Sequence, residues 1–239
     1  MKTIMKVTSA GLMLLIVASC TKTNTGTVIG LSFKGVTTTT AAAKGASTVS
    51  SFTFTEALMG IKEIQIKRKE EQLHDTLTPR DSVNKSRFNF KGKYLVDLLT
   101  GTTTPDFGLA GFVPGTYNKL ESETAKLVNG TNSISVKGTY TDAASKVYNF
   151  NFSSKSEFEF EFESDSGFVL TEGGVLQMLI NINLPHLFAN VDFSLATVDS
   201  NGTIVISENT NGEIYKKIKR NIRSVAEMHE DKHKEKYGH

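Results

Sequence analysis

Between Phe52 and Glu208 apolar and polar positions alternate with a period of two, in runs broken by Gly, Asn and Asp. That pattern predicts antiparallel β-structure. The sharpest run is Phe158-Glu159-Phe160-Glu161-Phe162-Glu163, whose phenylalanines share one face and whose glutamates share the other. Its expected hairpin partner is Tyr148-Asn149-Phe150-Asn151-Phe152, joined across Ser153 to Ser156. Leu176, Met178, Ile180, Ile182 and Leu184 alternate with Gln177, Asn181 and Asn183, which predicts a central strand with one face in the core. Asn129-Gly130 and Asn201-Gly202 lie between strand-like runs and suit type I′ turns, so two hairpins are expected there. The low-complexity run from Thr37 to Ser47 reads as a loop between strands. The expected fold is mainly β, one antiparallel two-sheet sandwich over residues 28–209.

After Asn209 the period changes. Thr210 and Glu213 have capping-box spacing, and Ile214, Ile218, Ile222, Val225 and His229 recur at intervals of three or four. Residues 210–239 are therefore expected as a C-terminal amphipathic helix and polar tail. Its isoleucines suit docking on the sandwich, leaving Lys216, Lys217, Lys219, Arg220 and Arg223 in solvent. The same basic face also suits anionic lipid head groups.

The other end of the chain reads as an export signal. Lys2 and Lys6 precede the apolar run Leu12-Met13-Leu14-Leu15-Ile16-Val17, and small residues follow. Val17-Ala18-Ser19-Cys20 has the form of a lipobox, with the chain's one cysteine at its end. The segment is too short for a stable membrane span. Residues 1–19 are expected as a lipoprotein signal peptide, Cys20 as the lipid attachment site, and residues 20–27 as a flexible tether. An ordinary secretory signal with a coincidental cysteine is the alternative.

With Cys20 lipidated no thiol remains for a disulfide, a thiolate metal site or a cysteine nucleophile. The 27 basic and 25 acidic residues give a net charge of +2, too balanced to imply a polyanionic partner. Nucleic acid is not expected as a ligand. Partners are expected to be the membrane, through the N-terminal lipid, and a protein or glycan that the sequence does not identify.

Phe52-Thr53-Phe54-Thr55-Glu56-Ala57, Ile61-Lys62-Glu63-Ile64-Gln65-Ile66, Tyr94-Leu95-Val96-Asp97-Leu98-Leu99-Thr100-Gly101 and Val113-Pro114-Gly115-Thr116-Tyr117 occur in that order. Together they resemble a Bacteroidetes-type bacterial lipoprotein family carrying a domain of unknown function. The resemblance implies a transthyretin-like or Cna-B-like sandwich, immunoglobulin-like in its two-sheet plan, on a lipid-anchored envelope protein; Thr21 and Lys22 hold no acidic retention signal, so the outer membrane is expected, with the domain periplasmic or surface-facing. It implies a binding, adhesion or assembly module and brings no catalytic residues. Independently of it, the Pro-Gly-Thr-Tyr segment reads as a tight turn feeding a strand whose Tyr117 packs inward.

His229-Glu230-Asp231-Lys232-His233 matches the zinc-protease pattern H-E-x-x-H, with His239 where a third ligand would stand. On a helix His229 and His233 would share a face and hold zinc, with Glu230 as general base. Lys236 stands where the longer pattern needs Gly, and solvated residues surround the motif. A zinc-dependent hydrolase is therefore the competing reading, and no catalytic residue or cofactor is assigned in the preferred one. Glu157, Glu159, Glu161 and Glu163 are expected to face lysines across a strand rather than to bind calcium. His74 and His186 read as surface or packing residues, and Asp75-Thr76-Leu77 and Asp81-Ser82-Val83 suit O-glycosylation.

Overall fold

One long strand organises the molecule. β2 (Ser51–Arg68) runs for 18 residues, and β3 (Arg87–Asp97) pairs antiparallel along one of its edges, from Leu58↔Asp97 to Lys67↔Arg87. Its other edge is shared: β7 (Ile134–Thr141) takes Ser51 to Met59, and β6 (Gly115–Thr124) takes Ile61 to Arg68. The division falls at Gly60. Its N–H donates to the Ser133 carbonyl at 2.9 Å, and its own carbonyl accepts from the Ala125 N–H at 2.9 Å. A side chain does not fit there, because a β-carbon would collide with the Ala125 carbonyl oxygen and lie 2.9 Å from Leu127 Cβ. From this fork one arm continues through β6 to β9 (Glu159–Leu170). The other continues through β7 to β8 (Val147–Ser154) and β11 (Thr203–Ile206), while β4 (Thr102–Thr104) lies beyond β3.

The computed structural model describes residues 26–37, 51–68, 87–222 and 226–230. The leader, Cys20, the Thr38–Ser47 stretch, the O-glycosylation tripeptides, His74, Arg223, Val225, His233 and His239 lie outside the described residues.

A second, four-stranded sheet has the order β12 (Ala226–Glu230), β10 (Val175–Asn183), β1 (Val28–Val36), β5 (Leu109–Gly111). As expected, β10 is central, and Leu176, Met178, Ile180 and Ile182 are buried. The core fills with alternate residues of both sheets, among them Ile29, Phe33, Met59, Ile61, Ile64, Ile66 and Leu120. The protein is mainly β with a small helix near its C-terminus, as the periodicity predicts. Two ladders are parallel rather than antiparallel, β1 with β10 and β8 with β11. Each joins strands far apart in sequence, where a crossover is available and a hairpin is not.

Three local expectations fail for one reason: two-residue alternation does not say which strand is the neighbour. β8 and β9 form no hairpin. β8 pairs with β7 and β11, while β9 pairs with β6, because the chain crosses the fork between Ser154 and Phe158. Asn129 and Gly130 do adopt positive φ, 50° and 71°, but they close only the bridge Val128↔Asn132. The strands on either side, β6 and β7, pair with β2 instead. At Asn201-Gly202 the turn is tied by Asp199, whose Oδ1 accepts from Thr203 N–H at 2.8 Å, and β11 goes on to join β8.

Helical pieces also appear where none was expected. Leu184, read as the end of a strand, starts the short α1 (Leu184–Leu187), since the Asn183 side chain caps it by accepting from His186 N–H at 3.1 Å. A 3-10 turn follows at Phe193–Leu195. This segment delivers Phe188 and Phe193 to an aromatic cluster at the start of β2, with Phe52–Phe188 at 4.9 Å and Tyr140–Phe193 at 4.5 Å between centroids.

The C-terminal helix is shorter than its periodicity suggests. α2 spans Gly212–Ile222, and Ile214, Ile218 and Ile222 are buried as the docking stripe requires. The capping box does not form. Thr210 is held in a bridge to Ser207, Glu213 pairs with Lys216 at 2.6 Å, and the helix starts after Asn211, which has φ 53°. The Asn211 amide accepts from Thr197 N–H and donates to the Val205 carbonyl, each at 2.7 Å, which fixes where the helix leaves the sandwich. Beyond it the chain returns to extended form as β12, antiparallel to β10.

Candidate functional site

Tyr215 seats α2 across the fork. Its hydroxyl lies 2.8 Å from Ser154 Oγ and donates to Glu208 Oε1 at 2.9 Å. One turn later Lys219 donates to Ser156 Oγ at 2.8 Å. The helix thereby presents Lys216, Lys219 and Arg220 toward the beginning of β9. Between them lies a groove of about 1140 Å³, with Phe158 in its lining and Glu157, Glu159 and Glu161 on the opposite wall. Among the described residues β9 has β6 as its one ladder partner.

The acidic wall belongs to a charge lattice on the outer face of β2, β6 and β9. Opposing residues there include Glu63, Glu123 and Glu159 in one row and Gln65, Glu121 and Glu161 in the next. Adjacent carboxylates on neighbouring strands repel, and lysines between the rows offset this. Lys62 reaches Glu123 at 2.7 Å and Glu157 at 2.9 Å. Lys119 reaches Glu161 at 2.7 Å and Glu121 at 3.1 Å, and Lys67 also contacts Glu121. The expected pairing of the glutamate row with lysines holds for Glu157 and Glu161.

These contacts hold the groups in their charged forms. Hydrogen bonds donated to Glu123 and Glu157 raise the Lys62 ammonium above its ordinary range, and those donated to Glu161 and Glu121 do the same for Lys119. The Lys62 hydrogen bond brings Glu157 below the usual carboxylate range. For Glu121 burial is the largest influence and pushes upward, but Lys67 and Lys119 together outweigh it and its carboxyl ends lower. General acid–base chemistry favours a group poised near the working pH. Groups fixed in their ionised forms instead make a permanent electrostatic surface, suited to recognition.

The zinc-protease reading depended on a helix carrying His229 and His233. His229 and Glu230 lie instead on strand β12, with His229 opposite Leu179 in the ladder, so the helical i, i+4 face is not the backbone found at His229. The periodicity misled because Ile222, Val225 and His229 fit a helix as well as a chain that leaves one. Among the described residues no group of three or more His, Cys, Asp or Glu side chains is placed to hold a metal ion, and no helix is long and apolar enough to cross a membrane. The sequence reading missed Tyr215, Ser154 and Ser156. For Tyr215 the available signal was its place beside Ile214 on the buried stripe; for the serines there was none.

Tyr117 does pack inward at the start of β6. Its hydroxyl donates to the Val113 carbonyl at 2.7 Å, in the manner of the tyrosine corners of sandwich proteins. Comparison with protein-family models, with curated proteins and with solved structures returns no match to this chain.

Proposed function

We propose that this protein is a lipid-anchored, non-catalytic binding module of the bacterial cell envelope. In this reading Cys20 carries the lipid in the outer membrane and the groove between β9 and α2 receives a charged protein or glycan. The observation that carries the binding half is the groove itself, with Glu157, Glu159 and Glu161 facing Lys216, Lys219 and Arg220. Walls of opposite sign orient a partner and reject like-charged competitors. The anchoring half rests on Val17-Ala18-Ser19-Cys20 behind its apolar run and on the resemblance to Bacteroidetes-type lipoproteins.

Two measurements test the halves separately. Mass spectrometry of the cellular protein should find Cys20 as the mature N-terminus with acyl mass attached; any other N-terminus overturns the anchor. The soluble domain should bind components of an envelope extract or a glycan array, and Glu159→Lys with Arg220→Glu should weaken that binding roughly tenfold or more, since both walls then present the wrong charge to the partner. Full binding by a correctly folded double variant removes the groove from the account.

A further inference from the structure

The tether meets the sandwich at one fixed point. Thr27 is buried; its hydroxyl accepts from Gly173 N–H at 2.9 Å and its carbonyl from Phe112 N–H at 2.8 Å. Val28 N–H then donates to the Gly174 carbonyl at 3.0 Å. The chain arriving from Cys20 is thus pinned at one end of both sheets, where Val28 pairs with Val175 and Gly111, and Gly115 with Leu170.

That same end carries four large apolar side chains in solvent: Leu109 at 62% exposure, Val113 at 38%, Val169 at 68% and Val175 at 62%. Single exposed apolar residues are ordinary, but these four recur at one end of the sandwich: Val175 opposite Val28 and Leu109 opposite Gly30 in one sheet, Val169 opposite Thr116 and Val113 just before β6 in the other. Arg68, opposite Tyr117 at the end of β2 and beside Gly115, adds a cation at the same tip. Six residues lie between Cys20 and Thr27, and fully extended the seven Cα-to-Cα steps span at most about 25 Å. Whatever surface holds Cys20 is therefore always within reach of this patch, at a high effective concentration.

We infer that this end of the sandwich rests on a lipid surface, with Leu109, Val113, Val169 and Val175 in the head-group boundary and Arg68 among the phosphates. The inference rests on the anchoring reading above. A few valines and a leucine bind a bilayer weakly by themselves, and a lipid chain with a second weak contact makes a stable, oriented attachment. The orientation matters for the groove. β9 runs from Glu159 to Leu170, so with Leu170 at the lipid the Glu159 end stands roughly 30 Å above it, open to the aqueous side.

The sequence supplies its own reporters. It has one cysteine and no tryptophan, so Val175→Trp, Val169→Trp and Val147→Trp each introduce a single fluorophore. Val147 is the control: it is 59% exposed and lies opposite Thr141, which pairs with Ser51 at the far end of β2. The chain from Cys20 to His239 is coupled through its thiol to a maleimide lipid in phosphatidylglycerol–phosphatidylethanolamine vesicles, some carrying a quencher at the head-group boundary. This supplies a tether whether or not cells attach one. The expected result is roughly twofold quenching at positions 175 and 169 and little at 147, since only the tip is at the boundary. Equal quenching at both ends, or none at either, on a tethered chain that melts like wild type overturns the inference alone. Cellular protein without acyl mass on Cys20 overturns the anchoring reading, and the inference with it.

Discussion

Tyr215 on α2 and Ser154 at the end of β8 meet hydroxyl to hydroxyl at 2.8 Å. Because the Glu208 carboxylate accepts from Tyr215 at 2.9 Å, the tyrosine proton points to Glu208 and Ser154 is the donor to the tyrosine oxygen. This buried chain of hydroxyls, with Ile218 fully buried beside it, is what holds the helix across the fork. Tyr215→Phe should cost about 1–3 kcal/mol by leaving the buried Ser154 hydroxyl without its acceptor. Ile218→Ala should cost about 2–5 kcal/mol through the cavity it leaves. Urea unfolding reads both, and a Tyr215→Phe protein as stable as wild type would falsify the structural role of the network.

Gly60→Ala tests the fork. The added methyl meets backbone, the Ala125 carbonyl, rather than a flexible side chain, and that carbonyl's own residue is hydrogen-bonded to Gly60. Neither arm can yield without breaking a bond to β2. A destabilisation of about 3 kcal/mol is expected, the upper end for overpacking. If the variant unfolds at the wild-type urea midpoint, the two arms are not locked at this residue.

The legible part of the fold was the part written in periodicity. Leu176 to Ile182 alternates because one face of β10 is buried, and Ile214, Ile218 and Ile222 recur because one stripe of α2 is buried; burial leaves a local trace in composition. Neighbourhood does not. Phe150 and Phe160 look like partners across a short connection, yet they sit on different arms, and nothing local in Ser153 to Ser156 says that the chain crosses between them. The groove was half legible. The glutamate row announced a charged face, but its opposing wall comes from Lys216, Lys219 and Arg220, whose position depends on where α2 docks. The end of that helix was illegible because Val225 and His229 continue a helical spacing into residues whose backbone, from Ala226 on, has joined β10.

Ser122 offers a stabilising change. It is buried on β6 between Ile64 and Phe160 in the ladder, and among the described residues its Oγ has no hydrogen-bond partner. A desolvated, unpaired hydroxyl costs roughly 1–3 kcal/mol, while the backbone bonds of β6 do not depend on it. Ser122→Ala should therefore raise the stability by about 1 kcal/mol, seen as a higher urea midpoint at unchanged slope. A loss of stability would mean that a buried water satisfies the hydroxyl.

Stability should form a plateau with an acid and an alkaline limb. Glu121, Glu157, Glu213 and Asp192 all titrate lower in the folded protein than their ordinary 4.5 or 3.8. The folded state then binds fewer protons than the unfolded one as pH falls, so their contribution is present above the ordinary carboxylate range and is lost as pH drops through the folded values. Tyr117 and Tyr215 shift the other way, above 10.0, chiefly because burial disfavours the phenolate. Their contribution is complete below about pH 10 and is lost as pH rises through the folded values. Glu121 is the carboxylate to change, since it is held by both Lys67 and Lys119. Glu121→Gln should lower stability at neutral pH by about 0.5–1 kcal/mol, the range of partly exposed pairs, and shrink the loss on acidification by the same amount. Tyr117→Phe should flatten the alkaline limb and leave the acid limb untouched. Urea midpoints measured across the pH range decide this: an acid limb of wild-type height in Glu121→Gln would show that the ion pairs around Glu121 contribute nothing net to folding.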